Sequence, residues 1–342
     1  MSFELSGDTV FFFSDPAGAR ACLAAAFLLR QRRPAARIRL FSNRVHTSGG
    51  ETLPDLAVEH ADAVDAACFD GASYVFTGTS HPDSSGSFEL HAIEAAERLG
   101  LPTAAFVDHW VNFRLRFESD RRLILPRTIL VIDEEARRRA IAEGLPADRL
   151  QIWPNPHLVY LARHWRPRAG RAATRRLLGL GDEQAFVILY APDPIRMRDP
   201  GGRRGFDEIG ATRDLLTCLG GLGDRVQVLA KLHPLQPAEP IRTLLAGSPQ
   251  VIVAAEGPTD VRQTDRQTDV PELIHASDAV VGFFSNLLLE ADALKRPVVR
   301  YYPGDRASDP LAHLTLGTRV GSVGELASEL RRLRAEALKI RS

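Results

Sequence analysis

Short, wholly apolar runs separated by helix-length segments constrain the fold of this chain more than any other feature. Residues 8–14 (DTVFFFS) open the series, Pro16 and Gly18 mark a turn, and 19–33 (ARACLAAAFLLRQRR) has helical character. Further strand-like runs stand at 37–43, 72–80, 102–110, 123–133 and 149–156, with helical segments at 87–100 and 134–144. Strands apolar on both faces and alternating with helices predict a parallel sheet covered on both sides.

The pattern breaks at 163–173 (RHWRPRAGRAA), a basic stretch with Pro and Gly that reads as a linker. It then resumes with strands at 185–194, 226–234, 250–257, 278–284 and 297–302, and with helices at 270–277 and 285–296. A length of 342 residues fits about two domains of roughly 150 residues each. The expected architecture is α/β, with Rossmann-like domains at 1–162 and 174–322 and a C-terminal amphipathic helix at 323–342. Packing on the protein body is the simpler expectation for that helix, while its basic face leaves peripheral membrane contact open.

Lys plus Arg and Asp plus Glu each number 43, so the net charge is zero, which argues against a general nucleic-acid coat. Hydrophobic residues at 44% and charged residues at 25% are those of an ordinary globular protein. Cys22, Cys68 and Cys218 have no C-x-x-C spacing, so neither a disulfide framework nor a Cys-based zinc site is expected. The scattered cysteines lead to the expectation of a reducing cytoplasm. The N-terminal residues show no basic signal region and the apolar stretch 21–29 is too short to cross a bilayer, so any membrane contact is expected to be peripheral. G-x-G-x-x-G, GxxxxGK[ST], H-E-x-x-H and G-x-S-x-G motifs are all missing, as is D-x-D. No metal and no bound cofactor are expected.

Residues 272–301 hold the sharpest signal. A buried strand leads through Ser285-Asn286 into a helix bearing Glu290. Free N–H groups and the dipole at a helix start attract phosphate, and Ser285 and Asn286 add side-chain donors. Glu290, about one turn deeper, is placed to accept bonds from ribose hydroxyls. Ser285 as a plain N-cap is the bland reading. Arg196, Arg203 and Arg204 lie in a loop after a strand, where they would serve as anion clamps or form a solvated loop. Asp108 and His109 end a strand and precede Trp110, Arg114 and Arg116. They suit a general base with an anion clamp at Arg114, or a strand-end pair with no chemistry. His81 and the serines of 84–87 mark a loop before a helix that would suit a second anion site.

The 272–301 segment resembles the donor-nucleotide motif of GT-B glycosyltransferases and of the related sugar-nucleotide 2-epimerases, UDP-GlcNAc 2-epimerases among them. Lys231-Leu232-His233-Pro234 resembles the K-x-H-P element of CDP-glycerol glycerophosphotransferases and the HP motif of bacterial sialyltransferases. The order of the two elements agrees, but Asn286 stands where those families carry a second Ser, which weakens a cytidine-nucleotide assignment.

The resemblance implies two facing Rossmann-like domains with a cleft between them. Donor nucleotide would be bound by Lys231, His233, Pro234, Ser285, Asn286 and Glu290, with Asp193 of the APDP turn lining the pocket. It also implies an acceptor-side base in the loop after the first strand. Asp15 fits that role, or serves only as an N-cap before Pro16. The implied activity is metal-independent transfer of a glycosyl or polyol-phosphate group from a nucleotide-activated donor to a carbohydrate or glycolipid acceptor, in surface polysaccharide or glycoconjugate synthesis. A 2-epimerase or hydrolase of the same fold and a non-catalytic nucleotide-sugar-binding partner protein are the alternatives.

Overall fold

Thr9–Phe13 (β1) turns no face to water: Val10 and Phe12 enter one apolar cluster, Phe11 and Phe13 another. That alternation puts each cluster on its own side of the sheet, and each buried phenylalanine is worth about 1.5–3 kcal/mol relative to exposure. Pro16–Arg32 (α1) covers the Phe11 side, and Phe88–Arg98 (α2) covers the Phe12 side. The computed structural model describes residues 3–5, 7–44, 57–81, 86–233, 238–255 and 269–341. The chain divides into two compact units, Met1–Arg163 and His164–Ser342.

Among the described residues, unit 1 contains a seven-stranded, wholly parallel sheet. Its strands are β1, Ile38–Ser42 (β2), Val58–His60 (β3), Tyr74–Thr77 (β4), Thr103–Val107 (β5), Thr128–Val131 (β8) and Leu150–Ile152 (β9). Their spatial order is β3-β2-β1-β4-β5-β8-β9. Glu118–Ser119 (β6) and Arg122–Leu123 (β7) form a small antiparallel hairpin. Glu134–Ala142 (α3) and Pro156–Arg163 (α4) complete the unit.

The stretch 123–133, expected as one strand, is divided. Arg122–Leu123 belongs to the hairpin, and only Thr128–Val131 joins the sheet. Pro126 lies between them and has no N–H for a ladder bond. Asp120 and Arg121, with φ of 51° and 62°, make the two-residue hairpin turn that requires positive φ at both positions. Asp120 tolerates this conformation, but Arg121 stands where glycine is usual, so the turn's sequence signal is weak.

In unit 2 the order is Val251–Ala255 (β12), Val226–Lys231 (β11), Phe186–Ala191 (β10), Ala279–Gly282 (β13), Val298–Tyr301 (β14) and Thr318–Val320 (β15), all parallel. Its helices are Arg171–Leu177 (α5), Ile195–Arg198 (α6), Glu208–Gly220 (α7), Ala238–Ala246 (α8), Val270–Ala276 (α9), Asn286–Ala293 (α10) and Val323–Arg341 (α11). Of the stretch 163–173, Arg163 ends α4 in unit 1, and the rest belongs to unit 2 and is bonded into it. Arg168 N–H reaches Glu272 Oε1 at 2.9 Å, and Arg171 reaches Asp278 Oδ1 at 2.6 Å. The C-terminal helix α11 buries Leu326, Leu330 and Leu333, and the Cys218 thiol of α7 meets the Val323 carbonyl at 3.5 Å.

In both sheets the strand order therefore reverses beside the first strand, between β1 and β4 in unit 1 and between β10 and β13 in unit 2. In open α/β sheets ligands bind outside the carboxyl ends of the strands at such a switch point. The turns after β1, β4, β10 and β13 are the places to look.

Candidate functional site

At the switch point of unit 1, Asp15 caps α1: its Oδ1 accepts the Gly18 N–H at 2.5 Å. The helix starts there because Asp15 is extended, with φ −86° and ψ 162°, and Pro16 follows at the first helical position. Gly18 lies against the backbone of Gly78, in the turn after β4. A Cβ on Gly78 would stand 3.0 Å from Gly18 Cα. Two facing glycines let the start of α1 approach the end of β4 this closely.

Asp15 is half-buried, and its carboxyl is pushed up to about 6, first by burial and then by the charge of Asp108. Glu89 pushes in the same direction, while the Gly18 N–H and Arg116 oppose it. Asp108 follows β5 and pairs with Arg116 at 3.5 Å. Arg116 also donates to the carbonyl of Thr79, whose hydroxyl donates to Phe106 O at 3.0 Å. A carboxyl titrating near neutrality beside a second carboxylate and one arginine can both accept and return a proton.

His109 turns its Nδ1 to the Trp110 N–H at 3.0 Å, and Trp110 Nε1 donates to Asp133 at 2.8 Å. Arg114 sits on the surface, with its Nε 3.2 Å from Glu118 and its N–H 3.0 Å from Glu143. The Glu118 bond directs the Arg114 guanidinium toward the hairpin. His81 is half-buried at the end of the β4 turn, and Ser87 precedes α2 with φ of 58°. Ser84 and Ser85 lie outside the described residues.

Glu89, in the first turn of α2, was not a candidate. Its buried Oε1 accepts the Ser14 N–H at 3.0 Å and the Ser80 hydroxyl, and Ser80 Oγ accepts the Asp15 N–H at 3.0 Å. An acidic residue in a first helical turn usually complements the helix dipole, which hides this role. The available signal was a carboxylate between buried Phe88 and Leu90.

At the switch point of unit 2, Asp193 follows β10 and is buried. Its Oδ2 accepts the Phe284 N–H at 3.2 Å, in the turn after β13. Ser285 caps α10 through Leu287 N–H at 3.4 Å, Asn286 is the first helical residue, and both are half-buried. Glu290 is buried one turn further on. Gly282 lets β13 close on its neighbours, since a Cβ there would meet Ala191 O at 3.0 Å and Leu288 Cδ2 at 3.1 Å. Lys231 ends β11 and His233 lies two residues beyond, so both stand at the carboxyl end of the same sheet. Pro234 lies outside the described residues.

The arginines of the loop after β10 divide by environment. Arg204 donates to Tyr302 Oη at 3.2 Å and to Ser308 O at 3.0 Å, with its guanidinium 4.6 Å from the centroid of the Phe284 ring. It holds the loop against the β14 end. Arg203 and Arg196 are exposed, with Asp199 at 3.5 Å and Asp207 at 4.0 Å respectively. The backbone N–H of Arg204 and Arg203's own N–H and guanidinium keep Asp199 below the usual carboxylate range.

No protein-family model matches the sequence, and no curated protein matches it. Solved structures do match in fold. UDP-GlcNAc 2-epimerase from Neisseria meningitidis, bound to UDP-GlcNAc, is 14% identical with a TM-score of 0.64, over 97% of this chain and 94% of its own. Anabaena Alr3699/HepE in complex with UDP-glucose is 14% identical with a TM-score of 0.60, over 97% and 94%. The wall teichoic acid polymerase TagF is 15% identical with a TM-score of 0.55, over 97% and 81%. Among the described residues, no helix is long and apolar enough to cross a membrane. With its two parallel sheets in the same reversing order, the chain has the GT-B-like, two-domain α/β fold of these proteins.

Proposed function

We propose that this protein is an enzyme acting on a nucleotide-activated sugar, and that it transfers a glycosyl or polyol-phosphate group to a carbohydrate acceptor. The observation that carries the reading is Asp15, a carboxyl pushed up to about 6 beside Asp108 at the switch point of a Rossmann-like sheet. Asp15 takes the proton of the acceptor hydroxyl, and Arg116 pairs with Asp108 beside it at 3.5 Å.

Unit 2 takes the nucleotide end. The start of α10 at Ser285 and Asn286, with Lys231 and His233, faces the leaving phosphate with N–H dipoles and cationic or hydrogen-bonding side chains. Stabilising charge that develops there is the largest electrostatic demand of such a transfer. The likeness in fold to proteins crystallised with UDP-GlcNAc and UDP-glucose supports a nucleotide-sugar ligand. Arg196 and Arg203, both exposed, are the clamps best placed to close on a diphosphate. No metal enters this scheme, so turnover is expected to survive EDTA.

The paired carboxyl groups also favour a second reading, 2-epimerisation, which needs an acid and a base on the sugar and no acceptor. A thermal-shift screen against CMP, CDP, UDP, GDP and ADP tests the common part. A nucleotide at 100 times its Kd adds about 2.7 kcal/mol, and the gain should vanish in His233→Ala. No shift from any nucleotide would overturn both readings. Turnover of the stabilising nucleotide's sugar conjugates without acceptor would favour the epimerase or a hydrolase of the same fold, and strict acceptor dependence the transferase.

A further inference from the structure

We infer that Glu89 is a positioning residue for Asp15: one oxygen of its buried carboxylate binds the Ser14 N–H and the Ser80 hydroxyl together and so locks the turn after β1 to the turn after β4. This rests on the reading of Asp15 as the proton acceptor. The Ser14 N–H meets Glu89 Oε1 at 3.0 Å across 75 residues of sequence, and the Ser80 hydroxyl meets the same oxygen. Ser80 Oγ then accepts the Asp15 N–H at 3.0 Å. Two successive backbone N–H groups leading into Asp15 therefore hang on one carboxylate, one directly and one through Ser80.

Burying a carboxylate is costly unless hydrogen bonds replace its water. Glu89 is only 3% exposed, between buried Phe88 and Leu90. Among the described residues its donors, Ser14 and Ser80, both belong to the turns that carry the site, so the buried carboxylate is stabilised when those turns are in place. An apolar residue at this position would pack against the same core and leave the Ser14 N–H and the Ser80 hydroxyl to find other acceptors. Asp15 also feels the charge of Glu89, along with Asp108 and Arg116, and Cys22 on the next turn of α1 feels both Glu89 and Asp15. Position and protonation of Asp15 are coupled through the same group.

Glu89→Gln separates this role from simple support of the fold, because glutamine keeps the shape and one acceptor oxygen but removes the charge. The full chain, Glu89→Gln, Ser80→Ala and Asp15→Asn are compared by carboxyl-carbon NMR titration, melting temperature and pH-dependent turnover of the nucleotide sugar identified above. In Glu89→Gln the Asp15 midpoint should fall below its value of about 6, since loss of a neighbouring negative charge favours the ionised form. The acid limb of the turnover profile should move down with it, while kcat, with one amide oxygen still holding both turns, should change less than in Ser80→Ala. Ser80→Ala keeps the charge, so it should lower kcat while leaving the midpoint near that of wild type.

An Asp15 midpoint and acid limb that stay put in Glu89→Gln would overturn the inference, whatever the change in melting temperature. Wild-type kcat in Ser80→Ala would overturn the relay. Wild-type turnover in Asp15→Asn would instead sink the assignment of Asp15 as base, and the NMR titration would still report whether Glu89 governs it.

Discussion

Asp193 Oδ2 accepts the Phe284 N–H at 3.2 Å, which ties the carboxyl end of β10 to the turn that starts α10. Phe284 immediately precedes Ser285, the cap of that helix. The buried carboxylate thus fixes the backbone that presents the helix start. Asp193→Ala leaves a buried N–H unsatisfied, at a cost of about 1–3 kcal/mol. Calorimetric titration with the nucleotide that stabilises the wild type should show weaker binding, by roughly tenfold for each 1.4 kcal/mol that reaches the site. Unchanged affinity would separate Asp193 from the nucleotide.

Asp15 gives a pH dependence with a definite sign. Its carboxyl is raised from 3.8 to about 6 in the folded protein, so the unfolded chain releases this proton first. Its contribution to stability is therefore greatest below the unfolded value, falls as pH rises from about 4 to about 6, and stays low above that. Asn still caps a helix but cannot ionise. Asp15→Asn should melt higher than wild type at pH 8, by roughly 2–4 °C per kcal/mol, and the gap should close at pH 4. Melting curves at the two pH values check this, and an equal gap at both would contradict the raised value.

Turnover should follow the same group in the opposite sense. With Asp15 as base, kcat/KM rises with pH and levels off above about 6. In Asp15→Asn that rise should vanish together with most of the activity.

Gly78→Ala probes the contact that brings α1 to the sheet. The added Cβ would lie 3.0 Å from Gly18 Cα, a backbone atom that cannot swing aside. Overpacking of this kind costs about 1–3 kcal/mol. Because Asp15 Oδ1 is bonded to Gly18 N–H, the variant should lose turnover out of proportion to its loss of stability. Chemical denaturation and kcat measured on the same preparation compare the two.

Arg175 and Asp278 test unit 2 away from its switch point. Arg175 Nη2 lies 2.8 Å from Asp278 Oδ2, both side chains are buried, and the same oxygen accepts the Val187 N–H at the start of β10. Arg175 also donates to the carbonyls of Ala276, Glu183 and Ala185. Removing one partner of a buried pair costs about 3–5 kcal/mol. Arg175→Met should lower the stability of unit 2 by that order in a urea melt, although Arg171 remains 2.6 Å from Asp278 Oδ1.

Much of the fold was legible because a strand buried on both faces leaves an apolar run that few other structures tolerate. The strands at 9–13, 103–107, 186–191 and 279–282 all announce themselves this way. The edge strands β3 and β15 do not, being three residues long and partly exposed. Helix α7 also escaped notice, although Asp207 caps it through Gly210 N–H at 2.7 Å.

The sequence by itself determined the alternation of elements, the two parallel sheets and the turns that carry Asp15, Asp108, Asp193 and Ser285, since local apolar patterning and capping residues are read along the chain. Tertiary structure alone decided which of those turns meet. It brought Glu89 to Ser14, set Asp108 close enough to raise Asp15, and turned Arg204 onto Phe284 and Tyr302. Strand order and burial produce those contacts, and hydrogen bonds and charge interactions depend on distances in space that spacing along the sequence does not encode.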